Sequence, residues 1–287
     1  MSSQVIEIAG RVVDRARASH ERFLAAAIST PGVVDQVSHR VTSLAYNVSP
    51  DGELDPLGAL RARFDVPLLI DNNVNLAAVG ELSEGLARGL RTFAYVPVGA
   101  GVGMGLVVDG EIVRGVRGGA AQIGYLPSSR DPYDKRHHLH GALEDEIGAA
   151  GILAALEARA GCVARSPRSV HDVFELAQLG DEGARAVVAN VARHLGSAIA
   201  SVIAVIDPEL IVLGGGIGSN PALLGPVRVT AAELVPLATR IETSMLGDQA
   251  ALHGAVAVAL REARVAVHAR TALSRGTPAT TPITPSS

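Results

Sequence analysis

Cysteine and aromatic residues are the side chains that this sequence has least of. Its one cysteine, Cys162, excludes both an intrachain disulfide and a cysteine-based zinc site. Tryptophan is absent, and aromatic residues make up 3% of the 287 residues. The hydrophobic core must therefore be built from alanine, valine, leucine and isoleucine. A single cysteine also fits the reducing cytoplasm, where disulfides are rare.

An excess of positive charge is absent as well. The chain has 25 Lys and Arg against 29 Asp and Glu, which gives a formal net charge of -4. Phosphate backbones and anionic lipids are therefore not attracted to the chain as a whole. We expect nucleic acid binding to need a separate module.

The sequence also has no apolar run that is long enough to cross a bilayer. Residues 1–18 contain charged side chains, among them Glu7, Arg11 and Asp14, that interrupt any signal-peptide core. The longest apolar run, residues 195–206, ends at Asp207 and is well short of the ~20 residues that a spanning helix needs. We predict a cytoplasmic protein without a membrane partner.

Apolar spacing and turn residues predict an α/β chain with two lobes. We assign residues 1–92 to a partial N-terminal lobe, residues 93–264 to a C-terminal lobe, and residues 265–287, rich in Thr, Pro and Ser, to a disordered tail. The segment from 93 to 114 is predicted to be a meander. Strands are predicted at 23–29, 66–70, 93–98, 105–108, 111–114 and 211–213, and helices at 4–17, 75–90, 147–160, 170–179, 184–203 and 249–264.

Two glycine-rich turns follow predicted strands. Glycine at every second position lets backbone N–H groups converge on phosphate oxygens, although a tight hairpin can need the same glycines. A strand follows the first turn where a dinucleotide-binding fingerprint requires a helix, which excludes that fingerprint. Neither turn has the Lys and Ser/Thr of a P-loop. The first turn is Gly99, Ala100, Gly101, Val102 and Gly103, and the second is Gly214, Gly215 and Gly216.

Four segments in the same order resemble motifs of the ROK family of bacterial sugar kinases and sugar-responsive repressors. Residues 70–81, Ile-Asp-Asn-Asn-Val-Asn-Leu-Ala-Ala-Val-Gly-Glu, resemble its Glu-Asn-Asp-x-Asn-x-Ala-Ala-x-Gly-Glu motif. Residues 98–105 are similar to its second phosphate loop, 114–124 to its Arg-Gly...Gly-Glu-Ile-Gly-His stretch, and 213–216 to its adenosine turn. The resemblance implies an actin-like ATPase fold, ribonuclease-H-like in each of two lobes around a cleft. The first lobe would lack its opening strands.

The resemblance also implies which residues line that cleft. Asn73 stands where the family has its catalytic Asp, and an amide cannot accept a proton as a general base does. Asp71, two positions earlier, is the candidate substitute base, because alternate residues of an extended segment share a face. The implied sugar contacts are Asn47, Asn72, Gln122 and Tyr125, and the implied nucleotide contacts are Gly99, Ala100, Gly101, Gly103, Gly214, Gly215 and Gly216.

Several groups that the family uses for phosphate transfer and metal binding are missing. The family's Asp-x-Gly-Gly-Thr loop has no counterpart here, and Ala100 stands in place of a threonine. The cysteines of the family's zinc loop are also replaced, and only His137 of that region could be a ligand. We therefore expect no zinc, although a new site formed by His137, His138 and His140 stays an alternative. Binding of ATP and Mg²⁺ is left open.

We predict a sugar-sensing regulatory domain of the transcriptional-regulator type, without kinase activity. A small sugar in the cleft would shift lobe closure. DNA would be reached only through an upstream domain absent from this chain, and the resemblance implies a homodimer. The first alternative is an ATP-dependent hexose kinase, glucokinase-like, with Asp71 as base. The second is a vestigial structural protein whose open sheet edge pairs with a partner.

Overall fold

The computed structural model describes residues 2–15, 23–42, 55, 57–128, 131–159 and 169–274. Asn47 and Cys162 lie outside the described residues. The elements, in chain order, are α1 (Ser2–Arg15), β1 (Ala26–Thr30), β2 (Val33–Val34), β3 (Val41–Thr42), α2 (Gly58–Arg61), β4 (Leu68–Asn72), α3 (Asn73–Ser83), β5 (Phe93–Pro97), β6 (Gly105–Val108), β7 (Glu111–Ile112), α4 (His137–His140), α5 (Ala142–Ile147), α6 (Ala149–Glu157), α7 (Val170–Gln178), α8 (Glu182–Ile206), β8 (Leu210–Gly214), α9 (Gly215–Gly218), α10 (Pro221–Leu234), β9 (Arg240–Thr243) and α11 (Ala250–Ser274).

A five-stranded sheet organises the larger part of the molecule. Its strand order is β7-β6-β5-β8-β9. Strands β5, β6 and β7 pair antiparallel, which confirms the predicted meander. Strands β5, β8 and β9 are parallel, with α8 between β5 and β8 in the chain and α10 between β8 and β9.

Both faces of this sheet are buried at its central strands, because β5 and β8 are apolar at every position. On one face, Phe93 and Tyr95 of β5 and Val212 of β8 lie in a core shared with α3 and α11. On the other face, Val96 and Leu213 lie in the main core with α5, α6, α7, α8 and α10. Continuous apolar runs are typical of parallel strands that are covered on both sides. The result is a helix, sheet, helix sandwich.

Helices α3 and α11 cross at two glycines. A Cβ on Gly80 of α3 would collide with the carbonyl oxygen of Ala250, and a Cβ on Gly254 of α11 would collide with that of Leu76. The glycines therefore let the two backbones approach closely. Through this crossing, α3 and α11 together cover one face of the sheet, and α11 also contacts β1.

The N-terminal lobe contains a smaller sheet. Strands β1 and β4 pair in parallel, in a two-stranded sheet. Val13 of α1 packs with Leu60 and Phe64 beneath this sheet, while Ile70 of β4 packs with Val34 and Val41. The carboxyl end of β4 leads directly into α3, so this lobe places the first turn of α3 at the junction with the large sheet.

Two helices differ from the expectations drawn from the sequence. The last helix continues to Ser274, so residues 265–274, assigned above to a disordered tail, are helical. Helix α8 is longer than predicted and is long and apolar enough to cross a membrane by length and composition alone. Half of its most apolar stretch is buried inside the protein, where it packs against α7 and α10. It is therefore a core helix of this fold.

Candidate functional site

A cavity of about 450 Å³ opens where the N-terminal lobe meets the large sheet. One wall is the end of β4 with the first turn of α3, and a second wall is the loop between β7 and the short 3-10 helix Ile123–Tyr125. The hairpin between β5 and β6 also lines the cavity. Of the predicted site residues, the cavity is lined by Asn72, Asn73, Gly99, Ala100, Gly101, Gly103, Gln122, Tyr125 and Gly215.

Asn72 and Asn73 have different roles at the start of α3. Asn72 is the N-cap of α3, because its Oδ1 accepts the N–H groups of Val74 (2.8 Å) and Asn75 (3.4 Å). Its Nδ2 donates to the Gly32 carbonyl (2.6 Å), so most of this amide is used internally. Asn73 is exposed and lines the cavity, and its side chain makes no hydrogen bond within the described part of the chain. Asn73 is thus the amide that is available to a ligand.

Asp71, the candidate substitute base, does not line the cavity. Its side chain is buried, and its Oδ2 accepts Nε (2.9 Å) and Nη2 (2.7 Å) of Arg114. Its Oδ1 accepts the Asn72 N–H (2.8 Å) and the Asn75 side-chain amide (3.0 Å). An ionised carboxylate offers about four acceptor positions, and all four of those on Asp71 are occupied by these donors. The geometry therefore argues against Asp71 as a base.

Gln122 and Tyr125 lie on the wall formed after β7, where Gln122 directly precedes the 3-10 helix and Tyr125 is its last residue. The Gln122 side chain lines the cavity and makes no hydrogen bond among the described residues. The Tyr125 hydroxyl donates to the Leu139 carbonyl (3.1 Å). Burial, together with the nearby Glu144 carboxylate, raises the pKa of Tyr125. Gln122 is therefore free for a ligand, while Tyr125 mainly joins the cavity wall to α4.

Glu144, on α5, is a cavity residue that the sequence reasoning missed. One of its carboxylate oxygens, Oε2, accepts the Val102 N–H (2.8 Å), and a Cβ on Gly101 would lie 2.8 Å from that oxygen. Burial is the main cause that raises the pKa of Glu144, and the Val102 hydrogen bond opposes it. Glu144 is the only carboxylate among the described residues that line the cavity. The sequence feature that could have indicated Glu144 is its position just after the loop of residues 135–142.

The hairpin of Gly99 to Gly103 uses much of its own hydrogen-bonding capacity. The Gly99 N–H donates to the Gly101 carbonyl (2.9 Å), and the Gly103 N–H donates to the Pro97 carbonyl (3.2 Å). A Cβ on Gly103 would press against Val74 of α3, so this glycine allows the hairpin to pack closely against α3. Two of the N–H groups that a phosphate cradle would use are therefore engaged within the hairpin.

The second glycine turn is built around Tyr95 and Val98. A Cβ on Gly214 would collide with the Tyr95 ring, and Gly215 has φ +73°, a left-handed conformation that favours glycine. Burial is the main cause that raises the pKa of Tyr95 to about 12, and the nearby Gly215 N–H opposes this shift. Gly215 lines the cavity, whereas Gly214 and Gly216 do not. Of the predicted adenosine turn, one residue reaches the cavity.

The histidines of the loop before α5 do not form a zinc site of the family's kind. His137 Nδ1 lies 2.7 Å from one carboxylate oxygen of Asp145, and His140 Nδ1 lies 3.5 Å from the other. In the described part of the chain, no group of three or more His, Cys, Asp or Glu side chains is arranged to hold a metal ion. The residues present therefore do not fit the structural zinc that the resemblance implies.

ATP with Mg²⁺ also fits this cavity poorly. No Lys or Arg is found among the described lining residues, while Glu144 contributes a carboxylate. Ala100 has no hydroxyl to donate, and Pro97 at the end of β5 has no N–H. A polyphosphate is usually held by cations, hydroxyls and convergent N–H groups. The donor set suits the hydroxyl groups of a neutral ligand better.

This architecture is the actin-like ATPase fold, as in solved sugar kinases. The ROK hexokinase from Thermus thermophilus superposes with a TM-score of 0.75 at 26% identity, over 92% of this chain and 87% of that one. A ROK family transcriptional regulator, a homologue of the Escherichia coli MLC protein, superposes with a TM-score of 0.79 at 25% identity. That match covers 93% of this chain and 70% of the regulator.

The chain belongs to the ROK family, whose profile matches residues 2–262. The glucokinase of Halalkalibacterium halodurans is 33% identical over 177 residues, which are 57% of this chain and 53% of the glucokinase. This chain therefore spans about half the length of that relative. Its relatives include both sugar kinases and regulators, so membership alone does not choose between catalysis and sensing.

Proposed function

We propose that this chain is a sugar-sensing regulatory domain of the transcriptional-regulator type that binds a small sugar without transferring phosphate to it. The observation that carries the proposal is Asn73. Its free amide faces the cavity at the position where the family resemblance implies a catalytic Asp. An amide can donate to and accept from a sugar hydroxyl, but it does not remove the hydroxyl proton at neutral pH.

The polar groups of the cavity support a neutral polyhydroxylated ligand. Asn73 and Gln122 line the cavity with side-chain amides that make no hydrogen bond among the described residues, and Glu144 lines it with a carboxylate. A few convergent polar groups in a concave site of this size are what recognition of one small molecule requires. The absence of Lys and Arg among the described lining residues argues against a phosphorylated sugar and against ATP as the regular ligand.

We further propose a cytoplasmic homodimer in which ligand binding changes the closure of the two lobes. Any contact with DNA would be made by a separate domain, since the net charge of this chain is -4. Ligand binding could change the orientation of such a domain only if the ligand prefers one lobe arrangement over the other. The regulator that resembles this chain over 93% of its residues supports this function.

Kinase activity is the second candidate, because Glu144 is an ionisable cavity residue whose pKa burial raises. A general base works best when its pKa lies near the working pH. Glu144, rather than Asp71, would then be the base. The sugar kinases that resemble this chain keep this candidate open to test.

The decisive experiment combines thermal unfolding with a phosphate-transfer assay on the purified chain. We expect one of glucose, N-acetylglucosamine or xylose to raise the melting midpoint, since a ligand at about 100 times its Kd adds about 2.7 kcal/mol to stability. ATP with Mg²⁺ should give no consumption above a blank without protein. ATP consumption that requires a sugar and disappears in Glu144→Gln would establish the kinase instead.

A further inference from the structure

We propose that Asp71 and Arg114 form a buried clamp that fixes the distance between the two walls of the cavity. The clamp residues would act as positioning residues, because neither lines the cavity. The inference rests on the proposed function insofar as it concerns ligand affinity. It also makes a structural claim about the loop after β7 that can be tested without any ligand.

Asp71 is the centre of the clamp. Its side chain is 9% exposed, and each of its two oxygens accepts two hydrogen bonds. Two of the four donors belong to Arg114, one is the backbone of Asn72, and one is the amide of Asn75. All of the acceptor positions that an ionised carboxylate offers are thus occupied. A carboxylate held by four donors has little freedom to rotate.

On one side, the clamp controls where α3 begins. Asn72 and Asn75 both bind Asp71, and the Asn72 amide also joins α3 to the Gly32 carbonyl (2.6 Å). Asn73 lies between these two anchored residues and carries the free amide that faces the cavity. The orientation of Asn73 is therefore fixed by its neighbours rather than by contacts of its own.

The other clamp residue, Arg114, lies at the start of the loop after β7, which forms the second wall of the cavity. Its backbone carbonyl accepts the N–H of Ala120 (2.9 Å), a cavity residue, so Arg114 also closes the base of this loop. Gly118, inside the loop, has φ +75° and packs so closely on the Val34 carbonyl that a Cβ would collide with it. Gln122 follows directly after this anchored loop. The position of Gln122 relative to Asn73 thus depends on the pair of Asp71 and Arg114.

The pair can be tested because loss of one partner and loss of both have different consequences. Removal of Arg114 leaves the buried Asp71 carboxylate without its ion-pair partner, and removal of Asp71 leaves a guanidinium whose side chain is 30% exposed. Both losses destabilise the fold whatever the role of the pair, the first more strongly. A double variant, Asp71→Asn with Arg114→Met, removes both charges and keeps an oxygen at position 71 for Asn72 and Asn75. It should therefore recover much of the stability that each single variant loses.

The ligand-free experiment measures amide hydrogen exchange in the loop of residues 115–121. We expect the double variant to show a melting midpoint closer to wild type than Asp71→Asn or Arg114→Met alone, and yet about tenfold faster exchange in this loop, because local opening becomes easier. Asp109→Asn is the matched control, since Asp109 and Arg91 form a 2.9 Å ion pair whose side chains are 75% exposed. This control should change neither value. Unchanged exchange in a stable double variant would overturn the clamp.

Calorimetric titration with the sugar that wild type binds completes the test. We expect about tenfold weaker binding by the double variant, because misplaced contacts lose most of their value. Arg114→Lys keeps the charge but not the fork of donors, and should bind with intermediate affinity. Wild-type affinity in the double variant would refute the positioning role. Absence of binding by wild type to any tested sugar would count against the proposed function, and the exchange measurement would then decide on the clamp.

Discussion

At the scale of single residues, Glu144 should contribute most to ligand affinity. It is the one carboxylate among the described lining residues, and hydrogen bonds to a charged acceptor contribute about 1.5–3 kcal/mol. We expect Glu144→Gln to weaken sugar binding by roughly 10- to 100-fold in calorimetric titration. Glu146→Gln, two residues further along α5 and outside the cavity, is the control and should bind as wild type. Equal affinities of wild type and Glu144→Gln would contradict this assignment.

The same substitution should stabilise the ligand-free protein at neutral pH. Burial raises the pKa of Glu144 in the folded state, so the folded state favours the protonated carboxyl. The corresponding stability is present below the unfolded pKa of about 4.3 and is lost as the pH rises through the higher folded pKa. Glu144→Gln should therefore have a higher melting midpoint than wild type at pH 7. The difference should shrink at about pH 4, where both proteins carry a neutral group.

The sequence predicted many of the cavity residues, because they occur in short contiguous motifs. Asn72, Asn73 and Gln122 line the cavity, whereas Asp71, the candidate substitute base, does not line it and is held by contacts that no motif contains. Arg114 reaches Asp71 across 43 positions of sequence. Glu144 likewise meets Val102 across 42 positions. Such long-range partners follow from tertiary packing, which spacing along the chain does not reveal.

At the scale of elements, the crossing of α3 and α11 should depend on Gly254. We expect Gly254→Ala to destabilise the protein strongly, because the new Cβ would collide with the Leu76 carbonyl and the helices would have to separate. Overpacking of this kind typically costs about 1–3 kcal/mol. Chemical denaturation of the two proteins measures the difference.

Gly10, inside α1, is the matched control for this substitution. A Cβ at position 10 has no atom within 4 Å, so Ala is accommodated there. Because alanine favours the helix interior over glycine by about 0.8–1.0 kcal/mol, Gly10→Ala should stabilise the protein slightly. A Gly254→Ala variant that behaves like Gly10→Ala would show that the helices are not closely packed at this glycine.

Element types were predicted better than element ends. The meander of β5, β6 and β7 and the order of the predicted helices follow from local patterns of apolar and turn residues, and both are found in the structure. The predicted helix of residues 147–160 corresponds to α6, which begins after Gly148, while Ile147 ends α5. Helix α11 continues ten residues past the predicted end at 264. Ala266 and its neighbours have enough helix propensity to extend a helix that packing has already formed.

At the scale of the whole molecule, α11 joins parts of the chain that are far apart in sequence. It covers the face of the large sheet that carries Phe93 and Tyr95, and it also contacts α3 and β1. The boundary drawn from sequence at residues 92 and 93 thus separates α3 from the sheet on which it packs. Because one core includes residues from both sides of that boundary, we expect the described chain to unfold as one cooperative unit.

Truncation of α11 tests this arrangement. A chain that ends at Arg264 loses Val265, Val267, His268, Ala269 and Thr271, which are exposed. It should melt in one transition within about 4 °C of wild type, as expected for a loss near 1 kcal/mol. A chain that ends at Asp248 loses Ala250 and Ala255, which are buried, and uncovers α3 and the sheet. It should lose its cooperative transition in calorimetry and bind hydrophobic dye. A cooperative melt of the shorter chain would show that the large sheet folds without α11.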